Sequence, residues 1–293
     1  MAHRTLLWVL FVLLALSSLA CLSPTVRTAE TTTEQPTAVR TSTAAQPIAA
    51  PVKPTTTPLP TPTSEPEDTG WVPTAGGLEV RSRNVVLEEG IERITVVRMQ
   101  PDAVRLHITY RPGEAQYLSA WAKQSKPLVV VNGGYFTSDL VATALVVSGG
   151  EASGTSYGQF AGMLYASGDG VPRLRWLQTA PYSSDENLSA AVQSFPVLVK
   201  PGGVMGFPAE ADDGRTARRT VAAQDRSGRM LFLVAPRGFF GLHALAVWLV
   251  ESDLDIDIAL NLDGGPSSGL WVPGVATIDS QLPVPAAVFI LSR

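Results

Sequence analysis

The segment Asn261-Leu262-Asp263-Gly264-Gly265-Pro266-Ser267-Ser268-Gly269 gathers an amide, a carboxylate and two hydroxyls at the end of an apolar run. Side chains alternate along a strand, so Asn261 and Asp263 share one face while Leu260 and Leu262 take the other. A carboxylate placed there can serve as a nucleophile, a general base or a metal ligand. The bland alternative is an Asp-Gly turn with Asn261 in a satisfied structural network.

Two further segments carry matching chemistry. Asn132-Gly133-Gly134-Tyr135-Phe136 follows the apolar residues 128–131, and its paired glycines permit close approach of a ligand. The amide of Asn132 is then expected at a mouth rather than in the core, unless it merely caps its own turn. Gly214-Arg215-Thr216-Ala217-Arg218-Arg219-Thr220 supplies guanidinium groups, which bind planar oxyanions through paired donors. Alternation groups Arg219 with Val221 and Arg218 with Thr220, so only one of the adjacent arginines need face a site; otherwise the segment is a solvated basic loop. His243, at a helix start, titrates in the range useful to an acid, or else caps and packs there. His107 reads as a strand residue without a role.

These residues need strands to aim them. Short β-rich runs recur at 93–99, 104–110, 128–131, 144–147, 220–223, 230–234, 256–262 and 286–291. Apolar residues at helical spacing predict helices over 114–126 and 242–251. The fold class is therefore α+β: a mixed β-sheet core with a few flanking helices, as a single domain over residues 70–293. Two buried strands, each following a helix, deliver the two Gly-Gly turns.

The remainder of the chain is organised differently. Residues 1–21 have a short basic start at His3 and Arg4, then the uncharged stretch LLWVLFVLLALSSLA and Cys21, the pattern of an export signal. Ser18-Leu19-Ala20-Cys21 resembles a bacterial lipobox, with Ser18 where Leu is typical, so lipidation at Cys21 is expected, with simple secretion or an uncleaved anchor as alternatives. Either way the downstream chain is extracytoplasmic. Residues 22–69 are dominated by Thr, Pro, Ala and Ser and offer little to bury, which reads as a semi-stiff linker. Lys and Arg total 22 against 26 Asp and Glu, a formal charge of −4 that gives no broad cationic field for nucleic acid. With Cys21 as the single cysteine, an intrachain disulfide framework and a cysteine-based zinc site are excluded.

Asn132-Gly133-Gly134-Tyr135-Phe136, Gln193-Ser194-Phe195-Pro196-Val197-Leu198-Val199, Arg219-Thr220-Val221 and Asn261-Leu262-Asp263-Gly264-Gly265-Pro266-Ser267-Ser268 together, and in this order, resemble the phosphodiester glycosidase family. The resemblance covers residues 129–293. Bacterial members of the family are often associated with exopolysaccharide. Pro266 and Phe195 stand where many members have glycine, and His243 where a Ser or Thr is usual. Pro266 has no N–H, so that amide cannot bind an oxyanion.

The resemblance implies hydrolysis of a sugar attached through its anomeric carbon to a phosphate diester, releasing sugar and a phosphomonoester. It implies Asp263 as nucleophile or general base and Arg219 on the phosphate. Asn132 and Asn261 would contact sugar hydroxyls or orient Asp263, and Gly133, Gly134, Gly264, Gly265, Ser267, Ser268 and His243 would line the substrate. Asp139, Glu151 and Asp225 are candidates for a second carboxylate, whose separation from the first, ~5 Å against ~8 Å, would mark retention or inversion. No particular cofactor is implied, and a need for a divalent cation stays open. The expected partners are a glycan phosphodiester and the membrane that holds the N-terminus.

Two rivals remain. A non-catalytic carbohydrate-binding or cell-wall module could use Trp71, Trp121, Trp176, Trp248 and Trp271 as a stacking platform, although large aromatics more often fill cores. A metal-dependent phosphodiesterase would cut the other ester bond, but the dense His and Asp cluster of a two-metal site is not evident.

Overall fold

Alternation of apolar residues on both faces of several strands requires that those strands be covered on both sides, and three antiparallel sheets satisfy this around a shared interior. The computed structural model describes residues 65–293. The apolar start, Cys21 and residues 22–64 of the linker lie outside the described residues. Residues 67–69, grouped by composition with the linker, run beside the strand Glu79–Leu87: the Thr69 N–H donates to the Ser82 carbonyl (2.9 Å), and Asp68 pairs with Arg81.

The largest sheet has eight strands in the order Val72–Pro73, Glu79–Leu87, Gly90–Met99, Met230–Phe240, Ala217–Asp225, Ile256–Asn261, Val197–Lys200 and Val204–Met205. A five-stranded sheet runs Glu151–Ser153, Val146–Ser148, Leu188–Ser194, Gly162–Ser167, Arg173–Trp176. Another runs Ala276–Ile278, Leu270–Val272, Val129–Asn132, Ala286–Ser292, Val104–Tyr110. The main core lies where the three meet, with Phe232, Val234, Ala222, Leu260 and Leu262 from the first, Leu164 and Val192 from the second, and Val129, Val131, Val288 and Ile290 from the third.

The opposite faces have their own covers. Leu231, Leu233, Val221 and Ala223 pack on helix α2 (Leu242–Glu251) through Leu245, Ala246 and Leu249. Val130, Ala287 and Phe289 pack on helix α1 (Leu118–Ala122) through Leu118 and the fully buried Trp121. The few helices and the sheet-dominated core make this the α+β class expected from the sequence.

Helix α1 is shorter than the 114–126 that the pattern predicts. Gln116 instead exchanges backbone hydrogen bonds with Val284 (3.1 and 2.8 Å), which holds the chain extended until Leu118. Helix α2 covers the predicted span. Strands such as Glu79–Leu87 and Arg173–Trp176 escape the hydrophobic pattern because much of their exposed face is arginine held by carboxylates, as in Arg81 with Asp253 and Arg175 with Glu186. Among the described residues, no helix is long and apolar enough to cross a membrane.

Candidate functional site

The strand Ile256–Asn261 lies inside the eight-stranded sheet, where Asn261 pairs with Val221 and Leu260 with Val197. The Leu262 N–H still donates to Thr220 of that sheet (2.9 Å), but the Asp263 N–H donates to Gly133 (3.1 Å), at the end of the strand Val129–Asn132 in another sheet. The chain thus crosses between sheets at Asp263, and the two glycine-paired turns meet there. Alternation behaves as the sequence requires: Leu260 and Leu262 enter the central core, while Asn261 projects from the opposite face.

Asn132 forms the clamp at this crossing. Its Nδ2 donates to the Asp263 carbonyl (2.7 Å) and to Gly133 (3.3 Å), and its Oδ1 accepts from the Thr220 hydroxyl (2.8 Å) and the Gly269 N–H (3.1 Å). An asparagine amide has two donors and one double acceptor, so nothing is left for a ligand. The expectation that Asn132 opens onto a mouth is corrected: the side chain is fully buried and holds the backbone of Asp263. The glycines after it follow the same logic. A Cβ at Gly133 would meet Ala286 Cβ at 2.8 Å and one at Gly134 would meet the Gln193 carbonyl at 2.8 Å, so strands of the protein, not a ligand, occupy the space these residues leave.

Asn261 is also buried. Its Nδ2 faces the carbonyls of Leu262 (2.7 Å) and Phe195 (3.1 Å) and the hydroxyl of Tyr135 (2.8 Å). Two carbonyl acceptors fix the amide orientation, and the Asn261 Oδ1 has no hydrogen-bond partner among the described residues, nor have the hydroxyls of Ser194 and Ser268. Such atoms are unusual in a native interior, and two of them, on Asn261 and Ser268, lie in the chain segment that carries Asp263.

The Asp263 carboxylate is only partly buried, with Oδ1 accepting from the Gly264 N–H at 2.8 Å. Burial pushes its pKa up to about 6, against the opposing pull of the Ser267 side chain and the Gly264 N–H. Arg219, 8% exposed, donates from Nε to the Phe240 carbonyl (3.1 Å) and from Nη2 to the Arg215 carbonyl (2.8 Å). Neither Asp263 nor Arg219 belongs to an ion pair among the described residues; Asp212 and Asp213 act on Arg219 only through their fields. Burial lowers the Arg219 pKa, yet a guanidinium remains charged. Its Nη1 lies 3.8 Å from where a Cβ on Gly264 would stand, so cation and acid flank the same glycine.

Tyr135 feels both charges. Burial pushes its phenol up to about 12, the Asp263 charge adds to the rise, and the Arg219 charge opposes it. Tyr135 belongs to the Asn132-Gly133-Gly134-Tyr135-Phe136 motif, in which the sequence gives it no separate role. The available signal was its place directly after a strand-terminal Gly-Gly pair.

Other expected residues are distributed as follows. Gly265, with φ near +58°, and Pro266 form the turn after the acid, and the buried Ser267 and Ser268 follow. Arg218 turns away and donates to the Asp279 carbonyl (2.9 Å). His243 has its Nδ1 on the Phe207 carbonyl (3.0 Å) and its N–H on Asp212 (2.8 Å), so its hydrogen bonds tie down the start of α2 instead of reaching the acid. Asp225 is withdrawn as a second carboxylate, because it is buried in a turn and paired with Arg229 at 2.7 Å. Asp139 and Glu151 are exposed. The tryptophans fill cores or line their margins rather than form a platform.

Among the described residues, no three His, Cys, Asp or Glu side chains converge as a metal cluster. A groove of about 480 Å³ beside Arg83 and Trp248 and another of about 310 Å³ beside Arg93 and Arg237 are not lined by Asp263. Arg83 and Arg93 are already neutralised there, by Asp253 and Glu65, whereas Arg219 is not. An ionisable acid and an unpaired cation across one glycine can together accept a proton or attack an electrophile while stabilising an oxyanion.

No curated protein matches the chain significantly. Among solved structures, the fold is similar to the catalytic domain of zebrafish N-acetylglucosamine-1-phosphodiester alpha-N-acetylglucosaminidase, auto-inhibited by its pro-peptide, with a TM-score of 0.58 and 15% identity over 79% of this chain and 85% of that one. It is also similar to a hypothetical protein from Synechocystis, with a TM-score of 0.51 and 15% identity over 74% of this chain and 62% of that one. At this identity the likeness concerns the fold. The family model for phosphodiester glycosidases matches residues 125–291, more than half of the chain and a span that contains Asn132, Arg219 and Asp263, and the chain therefore belongs to the phosphodiester glycosidase family.

Proposed function

We propose that the protein hydrolyses the bond between the anomeric carbon of a sugar and a phosphate diester, releasing the sugar and a phosphomonoester. The carrying observation is that Asp263 and Arg219 flank Gly264 without neutralising each other, both within electrostatic reach of Tyr135. The departing phosphomonoester has a second pKa of ~6, so it leaves with little proton donation, and a guanidinium can meet the charge that develops. One carboxylate then suffices for the chemistry at carbon.

Asp263 attacks the anomeric carbon as its carboxylate, forming a glycosyl ester that water then hydrolyses to free the sugar and the acid, or takes a proton from a water that attacks that carbon directly. In either case the C–O bond to phosphate breaks and its electron pair goes to the phosphate oxygen facing Arg219. Asn132 and Asn261 act as positioning residues: the first fixes the Asp263 backbone, and the second fixes Tyr135 and Phe195.

The glycan substrate belongs, in this reading, to a cell surface or exopolysaccharide. Residues 1–21 export the chain, and the linker from residue 22 up to the packed residues 67–69 spaces the catalytic domain from a membrane held through Cys21. Acyl labelling of the chain expressed in bacteria, lost in Cys21→Ser, checks the anchor. The reaction is tested by phosphorus NMR and sugar analysis of a sugar 1-phosphodiester treated with the protein. Free sugar and a phosphomonoester are expected, abolished in Asp263→Asn; sugar phosphate as product would establish a phosphodiesterase instead, and binding without turnover a carbohydrate-binding module.

A further inference from the structure

Four aromatic side chains form a continuous wall beside the acid, and the reaction above uses none of their faces. The ring centre of Tyr135 lies 4.8 Å from that of Phe195. Phe195 in turn contacts Tyr157 at 5.2 Å and Phe160 at 5.7 Å, and Tyr157 and Phe160 are 5.6 Å apart. The wall starts at Tyr135, whose hydroxyl is held by Asn261 next to Asp263, and ends at Phe160, which is 60% exposed.

The outer half is rigidly presented. Gln193 is fully buried, and its Oε1 accepts from the Tyr157 N–H (2.9 Å) while its amide exchanges hydrogen bonds with the Ser156 hydroxyl (3.0 and 3.1 Å). The Tyr157 hydroxyl is bonded to Thr143. An exposed phenyl ring that is fixed by packed neighbours gains nothing for folding equal to what burial would give, and ordered apolar surface beside a polar site is the usual lining of a ligand pocket. The wall carries no charge, so it does not bind phosphate; the cation nearest the acid is Arg219, at Gly264.

We propose that this wall is a saccharide subsite for a neutral glycan of at least two units, whose pyranose C–H faces stack on Phe195 and Phe160. The assignment rests on the glycosidase reading and fixes the direction of the substrate: sugar units run outward along Tyr135, Phe195 and Phe160, and the phosphate sits at Arg219. Aromatic faces suit this ligand because a pyranose offers an apolar face for stacking beside its polar edges.

Saturation-transfer NMR and calorimetry on the full chain test the subsite, with chitobiose, cellobiose and maltose as probes beside N-acetylglucosamine and glucose. At least one disaccharide is expected to bind about fivefold tighter than its monosaccharide, since each further stacked ring adds on the order of one aromatic contact. Phe160→Ala, at an exposed position, and Phe195→Leu are each expected to erase that preference, and millimolar inorganic phosphate is expected to leave it intact. Absence of disaccharide binding, or binding that both substitutions leave unchanged, overturns the proposal. Turnover of a sugar 1-phosphodiester separates the two ideas: turnover without wall-dependent binding sinks the subsite alone, and wall-dependent binding without turnover sinks the reaction alone.

Discussion

At Asp263, burial lifts the carboxyl to about 6 while only the Gly264 N–H and the Ser267 side chain favour its anion. A raised folded-state pKa means that the native protein binds a proton which the unfolded chain has released between about pH 4 and pH 6. The stabilising contribution is therefore complete below about pH 4 and is lost as pH rises through about 6, a difference of roughly 3 kcal/mol at most. Thermal unfolding of Asp263→Asn is expected to lack this pH dependence and to show a variant more stable than the parent at pH 8. Activity should run the other way. With the carboxylate as nucleophile or base, kcat/KM is expected to climb with pH and level off above about 6; a profile that falls through this range would make Asp263 an acid. Among single residues, Asp263 stood out in the sequence as an acid at a strand end before turn glycines, whereas alternation left open which of Arg218 and Arg219 faces the site, and only the family resemblance chose Arg219. Asn132 was legible as important but not in its orientation, since the partners that saturate it, Thr220 and Gly269, are remote in sequence.

Elements explain how Arg219 stays aimed. Opposite Ala217 and Arg219, the strand Met230–Phe240 presents Phe240 and Ala235, so residues 236–239 form a bulge whose N–H groups have no ladder partner. The buried Glu92 takes them: its Oε1 accepts from Arg237 (2.9 Å), and its Oε2 accepts from Gly238 (3.0 Å) and Phe239 (3.1 Å). Gly238, with φ near +88°, supplies the turn that lines these donors up. The next carbonyl, Phe240, receives Arg219 Nε. Glu92→Gln replaces an acceptor with a donor facing these N–H groups, at a cost of about 2–4 kcal/mol, and is expected to lower Tm by several degrees. Because the bulge positions Arg219, kcat should fall as well, by tenfold or more, at temperatures where the variant is folded; a variant with lowered Tm and unchanged kcat would show that the bulge does not position Arg219. None of this was readable beforehand. Bulges leave no period in a sequence, and a glutamate in the run 90–99 looks like any solvent-facing charge. Helix α2 was read correctly because its apolar stripe is intrinsic, while α1 was overextended because pairing of Gln116 with Val284 overrides local preference.

Taken as a whole, the molecule builds its site from three sheets. Thr220 and Asn261 come from the largest, with Asp263 where the chain leaves it, Asn132 and Gly133 from the end of the strand Val129–Asn132 in another, and Gln193 with Phe195 from the sheet of Leu188–Ser194 and the segment that follows it. The sequence announced the strands that feed the two glycine turns and the family that they resemble. It could not announce the three-sheet arrangement, because pairings such as Val131 with Val288 and Leu260 with Val197 join residues far apart in the chain. Such non-local pairing must form before any of its contacts reward it, so folding is expected to be slow relative to helical proteins of similar length.

The crossing at Asp263 makes the protein its own quality inspector. During refolding from denaturant, strand content measured by circular dichroism is expected to return earlier than hydrolysis, because any one sheet can form while the acid's seat is still open. A molecule that has mispaired a single seam would look nearly native in bulk and yet be inert, so an assay of turnover counts only fully assembled copies.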